Sequence, residues 1–174
     1  MNINLDGEKL NIKEKSSIEE IISKSKIDNS KDVMAVIIDN EIHDLNESIN
    51  RDAELKTVRI NTELGNRIYR RSLYLVMAKA IYDLFPDSVL KIEISISNGV
   101  YCELENKSSL SKADINKIRT EMKEIIKADY KIKKHSLKKE KVLEIIKNEN
   151  CSFRSELMAQ QDKDYYTVYE LDGY

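Results

Sequence analysis

Tryptophan is absent, proline occurs once, glycine four times, and cysteine and histidine twice each. Each scarcity closes off a class of protein. Cys102 and Cys151 stand far apart and outside any C-x-x-C pair, which excludes a disulfide scaffold. With His43 and His135 they make four soft ligands, no two within four residues, so the ligand spacings of a structural zinc site are missing. Gly7, Gly65, Gly99 and Gly173 are followed by Glu, Asn, Val and Tyr. No Gly-Lys-Ser/Thr tripeptide exists, and a phosphate-cradling P-loop is excluded from these residues. No apolar run approaches the ~18 residues of a membrane span, and the polar start lacks the apolar stretch of a signal peptide. The expectation is a cytoplasmic chain with no membrane partner.

What is present is charge and periodicity. Charged residues make up 34% and apolar ones 41% of 174 residues, enough for packed cores built from long regular elements. A net charge of −2 gives no global attraction to nucleic acid and leaves only local clusters to consider. The densest is Lys131, Lys133, Lys134, Lys138, Lys139 and Lys141 around His135. It reads either as a solvated helix start beside Glu140 and Glu144 or as a phosphate-contacting surface.

The first ~60 residues alternate short apolar runs with turn signals. Ile3 and Leu5, the turn Asp6-Gly7, then Leu10 and Ile12 predict an opening hairpin. Ser16 with Glu19 three residues on predicts a capped helix carrying Ile18, Ile21 and Ile22 on one face. Val33 to Ile38, Ile42, and Leu55 to Ile60 supply further strands. Gly65-Asn66 marks a break before a helix running from Ile68 to Leu84, with Leu73, Met77, Ala80 and Leu84 as its core stripe and Pro86 as its stop. Asn98-Gly99 predicts a hairpin between Val89–Ile96 and Val100–Leu104. Ser111 with Asp114 opens a second helix through Ile115, Ile118, Met122, Ile125 and Ile126. Ser136 is expected to cap a third with Val142, Ile145 and Ile146, and Tyr165 to Tyr174 reads as a last strand. The fold class is α+β, in two domains.

Specific resemblances follow. Asp6-Gly7, Asp39-Asn40-Glu41 with Asp44-Leu45, and Asp52-Ala53-Glu54-Leu55 make residues 1–62 similar to a TGS domain, the small β-grasp module at the front of threonyl-tRNA synthetases. Where that family usually has Asn-Gly at the middle turn, this chain has Asn40-Glu41. Residues 63–174 resemble, through Leu84-Phe85-Pro86, Ile96 to Tyr101, the Ser111 helix and Glu156-Leu157, the second additional domain shared by threonyl- and alanyl-tRNA synthetases, which hydrolyses mischarged tRNA. That resemblance implies an H-x-x-x-H pair on the long helix and a later C-x-x-x-H pair. Counted back from Pro86, the first pair falls on Arg71 and Leu75, neither of which can ligate a metal or act as a base. The later pair would lie beyond Tyr174, so the sequence reads as the incomplete amino-terminal part of a longer protein.

Tyr69-Arg70-Arg71-Ser72, Leu84 to Asp87 and Asn98 to Leu104 are further similar to bacterial proteins that join these modules to a uridine kinase-type domain. This resemblance implies a non-catalytic regulatory or ligand-binding region attached to a carboxy-terminal nucleoside kinase. ATP and Mg are expected only in that absent domain, and no cofactor or metal in these residues. The alternative is an RNA-binding module related to threonyl-tRNA synthetase, with tRNA or a small nucleotide as ligand. Residual deacylase activity is a third. Candidate contacts of a vestigial pocket are Arg71, Lys79, Asn98 and Tyr101. The competing readings make Arg71 and Lys79 solvent-facing, Tyr101 part of strand packing and Cys102 a small buried group.

Overall fold

The computed structural model describes residues 1–96, 99–107, 109–148, 158 and 160–174. The chain is α+β and divides into two compact units, Met1–Leu73 and Tyr74–Tyr174.

In the first unit β1 (Asn2–Leu5) turns through Asp6 and Gly7, both at positive φ, into β2 (Glu8–Asn11). Two consecutive left-handed residues give the turn whose twist matches the flanking strands, which is why Asp-Gly stands there. The short β3 (Ser16–Ser17) pairs with β6 (Ser48–Ile49), and α1 (Ile18–Lys24) follows at once. The cap of α1 is Ser17, whose hydroxyl accepts the Glu20 N–H at 3.2 Å. Ser16, the expected cap, is instead buried in the β3 pairing and donates to the Lys13 carbonyl at 3.1 Å. One residue of register decides which serine meets the helix's free N–H groups.

Strands β4 (Val33–Ile38), β5 (Glu41–His43) and β7 (Ala53–Arg59) complete a sheet in the order β2-β1-β7-β4-β5. Only the β1–β7 pairing is parallel within it. Asp39 and Asn40, again both at positive φ, make the β4–β5 turn, and Glu41 already opens β5. Ile18, Ile21 and Ile22 of α1 pack on Ile3, Leu5, Val36 and Leu55 of the sheet. Asp6 ties the first turn to β7, accepting the Thr57 N–H at 3.0 Å and the Thr57 hydroxyl at 2.6 Å.

Helix α2 (Glu63–Leu84) runs through the division between the units. Its start is set by Thr62, whose hydroxyl accepts the Gly65 N–H at 3.1 Å while donating to the Arg59 carbonyl at 2.7 Å. The expected break at Gly65-Asn66 is absent. Gly65 lies buried in the first turn, where a Cβ would overlap the Arg59 carbonyl. The glycine therefore serves a close approach of backbones, not a bend.

In the second unit, β8 (Leu90–Ile96) pairs antiparallel with β9 (Gly99–Leu104), with an irregularity after Ile92. Helix α3 (Lys112–Ala128) opens with the expected reciprocal cap between Ser111 and Asp114. Its Ile118 packs with Ile81 and Leu90, and its Ile125 with Val76, Ala80 and Leu171. Ile115 and Ile126 of the expected stripe stay exposed.

The Lys-rich run, expected to lead into a helix through a Ser136 cap, forms β10 (Lys133–Lys138) instead, with Ser136 in mid-strand. It pairs antiparallel with β11 (Tyr165–Glu170), and α4 (Lys139–Asn148) begins only after it. The alternation of half-buried His135 and Leu137 with exposed Lys134, Ser136 and Lys138 is a period of two, which a strand satisfies and a helix does not. Among the described residues no helix is long and apolar enough to cross a membrane.

Candidate functional site

Arg71 and Leu75 lie one helical turn apart on α2, at the positions where the editing resemblance requires two histidines. Arg71 is exposed and belongs to the first unit. Leu75 belongs to the second and packs against the cluster of Val76, Ala80, Ile125 and Leu171. A leucine there supplies apolar contact to a core and no donor atom, so the position that the resemblance assigns to a ligand holds a packing residue. Among the described residues no group of three or more His, Cys, Asp or Glu side chains is arranged to hold a metal ion.

Lys79 is not solvent-facing. It is 8% exposed, and its ammonium donates to both carboxylate oxygens of Asp83 at 2.7 Å, with Asp172 at 3.8 Å. Buried ammonium groups need such partners, and these occupy it with carboxylates of its own chain. Tyr101 is exposed on β9, and its hydroxyl donates to Glu103 at 2.7 Å, the two residues sharing a face as period two requires. That hydrogen bond and the Glu103 charge raise the phenol's pKa, which keeps Tyr101 a neutral donor. Asn98 lies outside the described residues. Cys102 is half-buried beside β8, and burial pushes its thiol up, away from the reactive thiolate.

The second unit also contains a cavity of about 930 Å³. Ala78 and Ile81 of α2, Val142 and Ile146 of α4 and Val168 of β11 line it, with His135 and Glu170 at a polar end. Glu170 accepts from Lys133 at 3.1 Å and meets His135 Nε2 at 3.0 Å. The Lys133 hydrogen bond and charge, followed by His135, hold the Glu170 carboxyl below the ordinary glutamate range. A depressed folded pKa favours folding above the unfolded value, and that contribution is lost as pH falls through the folded one. Glu170→Gln is therefore expected to flatten the acid limb of the unfolding-temperature profile between about pH 5 and pH 3. Thermal melts across that range check it.

The feature that the sequence hid is the outward face of the β10–β11 ribbon. Register pairs Lys134 with Tyr169, Ser136 with Thr167 and Lys138 with Tyr165, and all six are exposed. The lysine run and the tyrosines are both visible in the sequence. Their alternation, K-K-H-S-L-K against Y-Y-T-V-Y-E, is the signal that could have placed them together.

A β-grasp unit followed in the chain by an α+β unit is consistent with a TGS plus editing-like pair. Comparison with known proteins points the same way: the homologues are threonine–tRNA ligases. The chain is 32% identical over 135 residues to the threonine–tRNA ligase of Syntrophomonas wolfei, covering 78% of this chain and 21% of that protein. It is 26% identical over 168 residues to that of Clostridium kluyveri, 97% of this chain and 26% of the other. With the Acetivibrio thermocellus enzyme the figures are 29% over 153 residues, 88% and 24%. The chain thus spans about a fifth to a quarter of the length of these curated relatives. No family model matches it. These findings overturn the expectation of a uridine kinase-type, ATP-binding protein. The phrases around Arg71 and Asn98 that prompted it sit within a region that aligns with the ligases over nearly its full length.

Proposed function

We propose that this chain is a tRNA-contacting module of the threonyl-tRNA synthetase type whose editing-like site carries no hydrolytic chemistry. One observation carries the reading: on α2 the two ligand positions hold an exposed arginine and a core-packed leucine, while the surrounding packing is kept. Hydrolysis of an ester needs an activated water or a positioned base, and neither side chain provides one. Similarity to threonine–tRNA ligases along 97% of the chain supports tRNA as the ligand class.

With a net charge of −2, binding rests on a few local lysines and is steeply salt-dependent. Two or three phosphate contacts predict about a seven- to twenty-fold loss of affinity between 50 and 200 mM salt. Fluorescence anisotropy with labelled tRNA checks this, and absence of binding at the lowest salt sinks the RNA reading. Incubation with seryl-tRNA of threonine specificity is expected to show no hydrolysis above the spontaneous rate. Hydrolysis by the chain would overturn the non-catalytic half.

A further inference from the structure

We propose that the outward face of the β10–β11 ribbon is a stacking platform for unpaired RNA. The inference rests on the tRNA-contacting reading and adds the surface, the strand state of the ligand and the residues.

The argument begins with register. In an antiparallel pair, residues directly opposite bring their Cβ atoms within about 5.5 Å on one face. Here that places Lys138 beside Tyr165 and Lys134 beside Tyr169, with only Ser136 and Thr167 between the two pairs. Tyr165 is 58% and Tyr169 47% exposed, so both rings reach solvent. Packing against α4 belongs to the other face, where Leu137, Tyr166 and Val168 cover Val142 and Ile146, and Tyr169 also borders the cavity there. Glu170 lies on that inner face, engaged by Lys133 and His135, while Lys134, which has a partner of its own, and Lys138 stand on the outer face with Ser136, Thr167 and the two tyrosines.

Two aromatic rings, each with an ammonium alongside and small hydroxyl residues between, match the needs of a nucleotide strand. Rings stack on bases without regard to sequence, and lysines meet the backbone phosphates. The spacing selects the strand state. Tyr165 and Tyr169 are four residues apart, about 13 Å along a strand rising 3.3 Å per residue. In an RNA duplex the bases are stacked on one another, so their faces are covered by neighbours. Only an unstacked strand can present separate base faces to both rings, and unpaired segments are where proteins read RNA by stacking on aromatic side chains.

The test uses the 174-residue chain with three labelled probes: whole tRNA, unstructured oligouridylate and a blunt RNA duplex. The unmodified chain is expected to bind tRNA and oligouridylate and to discriminate against the duplex. Stacking predicts at least about a fivefold loss per ring removed, so Tyr165→Ala/Tyr169→Ala is expected to weaken oligouridylate binding by about 25-fold. Tyr165→Phe/Tyr169→Phe keeps the rings and is expected to stay within about twofold. Lys138→Ala is expected to make the salt slope shallower by about one contact. Far-UV circular dichroism of each variant confirms that the fold is retained. If tRNA still binds but the alanine pair loses less than about tenfold, or the phenylalanine pair loses as much as the alanine pair, the platform is wrong and the tRNA-contacting reading stands. If the unmodified chain binds no RNA at low salt, both fall together.

Discussion

Gly65→Ala is expected to destabilise the amino-terminal unit by about 1–3 kcal/mol, although alanine is the better helix former by about 1 kcal/mol. The two effects oppose each other, and the close approach decides. The added methyl would overlap the Arg59 carbonyl. That carbonyl cannot yield cheaply, because it accepts both the Thr62 hydroxyl at 2.7 Å and the Thr62 N–H at 3.0 Å. Moving it breaks the turn that starts α2. In a unit of this size 1 kcal/mol shifts the melting temperature by about 4–8 °C. Urea unfolding followed through amide signals of the first unit measures the change. Asn66→Ala, at the exposed neighbouring position, is the control and is expected to stay within about 0.5 kcal/mol. A stabilised Gly65→Ala variant would show that the packing of α2 against the end of β7 is not as described.

Leu171→Ala is expected to cost the carboxy-terminal unit about 2–5 kcal/mol, the largest single loss foreseen in that unit. Leu171 is 2% exposed and packs with Val76, Ala80 and Ile125 in a small cluster. Few neighbours can collapse into the space it leaves. Its backbone also closes the turn after β11, donating to the Tyr174 carbonyl at 2.9 Å and accepting the Tyr174 N–H at 3.1 Å. Lys79 reaches the adjacent Asp172, and the Tyr82 and Tyr174 rings meet at 5.3 Å. Leu171→Met keeps the volume and is expected to lose less than about 1.5 kcal/mol. Equal stability of the alanine and methionine variants in chemical denaturation would disprove this packing.

Most element types could be read directly because their signals are local. Asp6-Gly7 makes its hairpin turn by itself, and Ser111 with Asp114 caps α3 through bonds made within one turn of chain. The errors have a common cause. Ser16 and Ser17 are chemically alike, and only the pairing of β3 with β6 selects Ser17 as the cap. Ser136 looks like a helix cap until β11, about thirty residues later, claims it for a strand. Lys79 looks exposed by its type, yet it is buried, with the nearby Asp83 as its close partner and Asp172, far along the chain, at 3.8 Å. Of the candidate contacts, Arg71 could be placed on its helix one turn before Leu75, because an i, i+4 spacing on a helix is local. The alternation of lysines and of tyrosines is visible in each segment, but which lysine stands opposite which tyrosine is set only by the register between two distant strands.

The sequence by itself determined which donor atoms each position offers. Arg71 and Leu75 have no ligating atoms whatever the fold, and the four glycines make no P-loop in any conformation. It also determined the α+β class through periodicity and turn residues. The tertiary structure decided which groups meet: Leu75 with a core, Lys79 with Asp83 and Asp172, Gly65 with the Arg59 carbonyl, and two lysines with two tyrosines. The physical reason is that side-chain chemistry belongs to each residue alone, whereas burial and pairing are properties of segments brought together across the chain.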